Sequence, residues 1–189
     1  MAMKQSFVIF IITVLLQSAR ASTNGQTLLP WNEIEWDTIL EPPKISSDCE
    51  HYEICNKVLN YPMKFVTSLL EQLKTKNITK FTIDKLQADN GDYENICSFK
   101  EEIYYPRAAK DSNGNWHYIL NGNPQAFQGF LVERCKKDGC PLGPFSTDYT
   151  LNCIQNIGYR IMVYLDIEKR GLAVNHFKIP ICCSCTLIK

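Results

Sequence analysis

The chain ends in HFKIPICCSCTLIK, so three of its nine cysteines, Cys182, Cys183 and Cys185, fall within four residues of one another near the C terminus. Adjacent cysteines bond to each other with difficulty, so each needs a partner elsewhere in the chain or on another molecule. The opposite end sets the chemistry those thiols meet. Residues 7–16, FVIFIITVLL, form an uninterrupted apolar run preceded by Lys4 and followed by Ala19-Arg20-Ala21. This is the layout of a secretory signal peptide cut after Ala21, and the run is shorter than the roughly 20 residues of a membrane span. No other apolar run is longer. The expectation is a secreted, extracellular chain that starts near Ser22, does not insert in a membrane, and meets an oxidising setting in which cysteines pair as disulfides. In a reducing compartment Cys-Cys-x-Cys with Cys135 and Cys140 would suit zinc. Secretion favours disulfides instead, and neither a metal nor another cofactor is expected.

Residues 22–50 are polar, contain proline and lack sustained periodicity, and so read as mostly extended or disordered. CEHYEIC then places Cys55 six residues after Cys49, a spacing suited to a local bridge. In NYPMKFVTSLLEQLKTK, residues Val66, Leu69, Leu70 and Leu73 recur at helical spacing behind a proline, which predicts a short amphipathic helix. Asn77-Ile78-Thr79 is the one glycosylation sequon, and it implies exposed backbone at Asn77 in a secreted chain. The polar stretch NITKFTIDKLQADNGDYEN reads as a linker, the kind of segment that proteases cut.

From Cys97 the character changes to short β-rich runs bounded by Gly, Asn and Pro: IYYP, NWHYIL and AFQGFLVERC. GYRIMVYLDI alternates, with Ile161, Val163, Leu165 and Ile167 on one face and Arg160, Met162, Tyr164 and Asp166 on the other. After EKRG the chain returns through GLAVNHFKIPICCSC, which predicts a long β-hairpin ending in the cysteine cluster. A β unit of about ninety residues with a thin core needs covalent support. Charge is divided along the chain: residues 22–96 hold seven Lys and no Arg against twelve acids, and residues 97–189 hold seven Lys and four Arg against eight. Neither part has the dense basic stripe that a nucleic-acid partner would require.

With Cys49 and Cys55 as a local pair, seven cysteines remain, an odd number, so one is left reactive or pairs between chains. Six cysteines already allow fifteen connectivities, and spacing alone does not choose among them. Strand geometry puts Cys183 and Cys185 on one face and Cys182 on the other. If the first two turn inward they can reach Cys135 and Cys140, and Cys182 then faces outward, where an intermolecular bridge would form.

The order of the seven cysteines, Trp116 in SNGNWHYILN, VERC before Cys140, and FKIP followed by Cys-Cys-x-Cys closely resemble the Spätzle family of secreted cystine-knot ligands. C-x5-C followed by NYP and a helical run resembles that family's pro-segment, so the resemblance covers nearly the whole chain after the signal peptide. It implies a mainly β protein with a C-terminal growth-factor-type cystine knot and long β-hairpins, preceded by a partly disordered pro-segment with a short helix. The implied division is a signal peptide at 1–21, a pro-segment at 22–85 and a cystine-knot domain at 86–189. The implied bridges are Cys97 to Cys153, Cys135 to Cys183 and Cys140 to Cys185, with Cys182 joined to its copy in a second subunit.

The resemblance also implies a precursor cut by a trypsin-like serine protease to free a disulfide-linked homodimer that binds and activates Toll-type receptors. There is no Arg between Arg20 and Arg107, so Lys85 in TIDKLQ is the activation site the sequence offers, with Lys80 and Lys76 behind it. Trp116, Tyr104 and Tyr105 are candidate receptor anchors, because exposed aromatics dominate binding energy at protein interfaces. An enzyme is not expected, since only His51, His117 and His176 are available and there is no G-x-S-x-G elbow. The competing reading is a disulfide-rich factor for another receptor, a protease inhibitor or a defence peptide; a pro-segment with C-x5-C and NYP argues against an inhibitor.

Overall fold

The computed structural model describes residues 39–86, 96–136 and 150–188. Signal-peptide cleavage at Ala21, and Cys140, fall outside them. Among the described residues two helices, α1 (Ser47–Glu50) and α2 (Met63–Thr75), accompany eight strands: β1 (Ile54–Cys55), β2 (Thr82–Ile83), β3 (Phe99–Tyr104), β4 (Ala108–Lys110), β5 (Trp116–Tyr118), β6 (Gln128–Cys135), β7 (Thr150–Asp166) and β8 (Gly171–Ile188). The protein is mainly β. Among the described residues no helix is long and apolar enough to cross a membrane.

Helix α2 starts at Pro62, whose carbonyl accepts the Val66 N–H at 2.9 Å. It ends in a left-handed residue, Asn77 at φ 62°, with Ile78 N–H bonded to the Leu73 carbonyl and Asn77 N–H to that of Lys74. That crossed pair is the Schellman stop, and asparagine tolerates its left-handed position. Val66, Leu69 and Leu73 face inward, as their spacing predicts.

Strands β7 and β8 pair antiparallel from Thr150↔Ile188 to Asp166↔Gly171. The register shifts between Asn156 and Ile157, where β8 carries Ile181 as an extra residue. Both faces of the hairpin's distal half are buried. Val163, Leu165 and Leu172 pack with Cys49, Cys55, Val66, Leu69, Leu73, Tyr118 and Phe127. Met162, Tyr164, Phe177 and Ile179 pack on the other side with Ile54, Tyr104, Phe130 and Val132. The alternation seen in the sequence therefore separates two cores rather than a core from solvent.

The remaining strands form two three-stranded sheets, in the orders β1-β4-β5 and β2-β6-β3. In each, an edge strand comes from residues 39–86. β1 pairs antiparallel with β4, and β2 pairs parallel with β6 through Thr82↔Gln128 and Ile83↔Gly129. This corrects the expected linker over residues 77–95 in its described part: residues 81–84 are strand and strand flank. Two paired residues are too short for a periodicity signal, and their partner lies some 46 positions away.

Between β4 and β5, the Asp111 carboxylate closes the turn by accepting the N–H groups of Asn113 and Asn115, both at 2.9 Å, and Gly114 supplies φ 86°. Burial alone would raise the Asp111 carboxyl, but those N–H groups and the His117 ring, 3.1 Å from its Oδ2, hold it below its ordinary value.

Candidate functional site

The cysteine cluster is built on the long hairpin and β6. Cys97 bonds Cys153 and Cys135 bonds Cys183, with Cα separations of 5.8 and 5.2 Å. The sulfurs of Cys97, Cys153 and Cys183 lie within 4.8 Å of one another, so the two bridges are packed side by side. Bonded sulfurs have no thiolate to offer, and this group is not a metal centre. Cys185 is also disulfide-bonded; Cys140, the partner the family pattern implies, lies outside the described residues. In the N-terminal part Cys49 and Cys55 bond across 5.1 Å between Cα atoms.

Register fixes which way each cysteine points. Cys153 stands opposite Cys185 and Gln155 opposite Cys183, while Cys182 stands opposite Asn156 on the other face. Cys182 is the free cysteine among the described residues and is half-buried. Its sulfur accepts a hydrogen bond from Asn156 Nδ2 at 3.2 Å, and the same amide donates to Ser184 Oγ at 2.8 Å. Ile181 lies alongside, 45% exposed, over the bare backbone of Gly158.

Two polar residues that sequence reasoning missed hold this arrangement. Gln155 accepts the Cys135 N–H through Oε1 at 3.0 Å and donates through Nε2 to the carbonyls of Glu133 at 2.8 Å and Cys182 at 3.1 Å. Glu133 Oε1 accepts the Cys183 N–H at 2.6 Å. Together they join β6 to both hairpin strands beside the Cys135–Cys183 bridge. Their signal in the sequence is faint: polar residues close to cysteines in otherwise β-rich runs.

The N-terminal part is bound to the cysteine-rich part through the NYP motif. Asn60 bonds back to Lys44 N–H and the Pro42 carbonyl, and its own carbonyl accepts the Tyr118 hydroxyl at 3.1 Å. The Tyr61 hydroxyl sits 2.8 Å from the carbonyls of Ile119 and Asn121 and accepts the Asn121 N–H at 3.0 Å. Burial raises the Tyr61 phenol well above its ordinary value and pushes Tyr118 up to about 12. Nearby, Arg107 N–H donates to the Cys55 carbonyl at 2.7 Å and its guanidinium stacks over Tyr61. Lys110 pairs with Glu53 at 3.3 Å, and Arg134 lies over the rings of Tyr52 and Tyr104.

The three aromatic candidates separate. Tyr104 is 6% exposed and packed with Phe130 and Val132, so it has no face to present and is a core residue. That corrects its placement among the surface anchors: it falls on the inward side of β3. Tyr105 is 43% exposed, and its ring lies where a side chain at residue 129 would stand, a close approach that Gly129 permits. Trp116 is half-buried against the first core, with Lys110 Nζ 5.3 Å from its ring centroid. Asn77 is exposed, as are Lys76, Lys80 and Lys85.

Comparison with known proteins gives a consistent picture. The family model described as Spaetzle matches residues 94–187. Neurotrophin 1 of Drosophila melanogaster is 26% identical over 170 residues, covering 78% of this chain and 19% of that protein. Protein spaetzle of Drosophila melanogaster is 26% identical over 172 residues, covering 84% of this chain and 51% of that protein. Protein spaetzle 5 of the same organism is 28% identical over 93 residues, 49% of this chain and 24% of its own length. The chain thus spans between about a fifth and a half of the length of these relatives.

Proposed function

Because this chain belongs to the Spätzle family, we propose that it is the precursor of a secreted ligand that is activated by proteolysis and engages Toll-type receptors as a disulfide-linked homodimer. The observation that carries the reading is the orientation of Cys182. It is the free thiol among the described cysteines, it faces away from the Cys135–Cys183 bridge, and it is half-buried rather than enclosed. In an oxidising setting such a thiol pairs with another molecule. A two-fold dimer then carries two copies of every surface and can hold two receptor chains together.

Activation is a cut after Lys85 by a trypsin-like serine protease, which separates a pro-segment at 22–85 from the knot domain at 86–189. Lys85 is exposed, and the next Lys or Arg in sequence after it is Lys100, beyond Cys97. Tyr105 and Trp116 are the aromatic anchors for the receptor, and Asn77 carries a glycan on the pro-segment side. The N-terminal part supports this role by covering one face of the hairpin with α2 and the Cys49–Cys55 unit, so that surface is closed until the pro-segment leaves.

The test is electrophoresis of the secreted protein with and without reductant, before and after limited trypsin, beside Cys182→Ser. The expected result is a dimer that becomes monomer on reduction, is absent in the variant, and leaves a protease-resistant core starting at Leu86. Monomer under all conditions, with no resistant C-terminal core, overturns the proposal.

A further inference from the structure

The side chain that a trypsin-like protease would read is accessible, whereas the backbone just before it is fastened along one edge to the sheet. Lys85 is exposed and Leu86 is 57% exposed, so the lysine can enter an acidic specificity pocket. The residues just before the bond are held to β6. Ile83 is paired with Gly129, the Asp84 N–H donates to the Gly129 carbonyl at 2.9 Å, and the Phe81 N–H donates to the Phe127 carbonyl at 2.8 Å. The Asp84 carboxylate adds a side-chain bond by accepting the Leu131 N–H at 2.9 Å through Oδ2. On its other edge β6 is paired with β3, so β2 and Asp84 form the outer strap of that sheet.

Proteases of this class bind the residues preceding the cut as an added extended strand. The outer edge of β2 is free for such pairing, but a protease cleft must also enclose the segment from the side that β6 and the Asp84–Leu131 bond occupy. Hydrolysis adds water to the Lys85 carbonyl carbon and breaks its bond to the Leu86 nitrogen, leaving a carboxylate on Lys85 and an amine on Leu86. Before that step, residues 81–84 must peel from β6.

We infer that the β2–β6 pairing, fastened by Asp84, restrains activation of the precursor by withholding the Lys85–Leu86 bond from the protease. This inference rests on the reading of Lys85 as the activation site. When opening and reclosing are fast relative to cutting, the rate follows the population of the open strap. Weakening the fastening therefore raises the rate of cutting at the bonds the strap holds, after Lys85 and after Lys80, and leaves distant lysines alone. The clamp also gives a use to a carboxylate placed directly before the cleaved lysine.

The experiment is a time course of limited trypsin digestion of the full secreted protein, with new ends identified by mass spectrometry, for wild type, Asp84→Ala, Asp84→Asn and Lys85→Gln. A synthetic peptide spanning residues 79–90, with Asp or Ala at position 84, measures how the protease itself responds to that residue. The expected result is that Asp84→Ala accelerates the cut after Lys85 by about tenfold beyond its effect in the peptide, the change from losing one hydrogen bond to a charged group. Cuts after lysines outside the strap, such as Lys64 and Lys110, keep their wild-type rates, and Asp84→Asn, which keeps an acceptor oxygen, falls between. Equal acceleration in protein and peptide, or faster cutting at every lysine, overturns the clamp. If Lys85→Gln still yields the same C-terminal fragment, the reading of Lys85 falls instead, and the clamp loses its role in activation.

Discussion

Tyr61 and Asn121 are joined reciprocally: the Asn121 N–H donates to the Tyr61 hydroxyl at 3.0 Å, and that hydroxyl lies 2.8 Å from the Asn121 carbonyl. One residue belongs to the N-terminal segment and the other to the cysteine-rich part. Asn121 is itself buried and fixed, its side chain donating to the Pro106 carbonyl at 2.7 Å and accepting the N–H groups of Phe127 and Gln128. The tyrosine of NYP is thus a peg seated in a rigid socket.

Tyr61→Phe removes the hydroxyl and leaves those backbone groups buried without a partner. The cost is about 1–3 kcal/mol, read as a lower denaturant midpoint of the uncut protein. In protein cut after Lys85, wild-type fragments are expected to co-elute on gel filtration, because the docking bonds survive the cut. Tyr61→Phe fragments should separate more readily. Equal midpoints and equal co-elution would show that the peg carries no load.

Gln155→Leu keeps the size of the side chain and strips four backbone groups of a partner, those of Cys135, Glu133, Cys182 and Asn156. About 2 kcal/mol of stability should be lost. Peptide mapping is expected to show the Cys97–Cys153 and Cys135–Cys183 bridges intact in the variant. A wild-type midpoint would mean that water replaces the amide without cost.

Tyr104→Ala and Tyr105→Ala should part company. The first opens a cavity in a core and costs about 3 kcal/mol, whereas the second alters a more exposed ring and changes stability by about 0.5 kcal/mol or less. Thermal unfolding separates them. Any loss of receptor binding in Tyr105→Ala at unchanged stability then reports a direct contact.

The pH profile has two edges. Burial pushes Tyr118 and Tyr164 up to about 12, with Glu41 and Asp166 adding their negative charge respectively. In the unfolded chain a tyrosine ionises near 10. Because the folded values are the higher ones, this stability is fully present below about pH 10 and is lost as pH rises through about 12. Asp111 has the opposite sign: its lowered carboxyl contributes stability above its unfolded value of 3.8, lost as pH falls below it. Tyrosinate absorbance during alkaline titration should show a late class of tyrosines appearing together with unfolding. A single transition near pH 10 in folded protein would contradict this.

Much of the secondary structure was legible along the chain. Leu69 and Leu73 announce α2 because burying one helical stripe forces a repeat of three to four residues. The run from Tyr159 to Ile167 and its return announce the hairpin, and alternation along β8 separates Cys182 from Cys183 without any tertiary contact. The family signature lies in cysteine order and FKIPICCSC, which are properties of the string itself. The amino-acid sequence by itself therefore determined the longer elements, the covalent framework in outline and the kinship. Tertiary structure decided what those elements lie against. Only folding showed that both faces of the hairpin are buried, that Tyr104 points inward while Tyr105 points out, and that residues 81–84 pair with β6. It also gave Gln155, Glu133 and Tyr61 their bonds to backbone groups far away in sequence. The physical reason is range: helix and strand periods are imposed by neighbours in the chain. Burial and long-range hydrogen bonds depend on partners 20 to 60 residues distant, which no local pattern records.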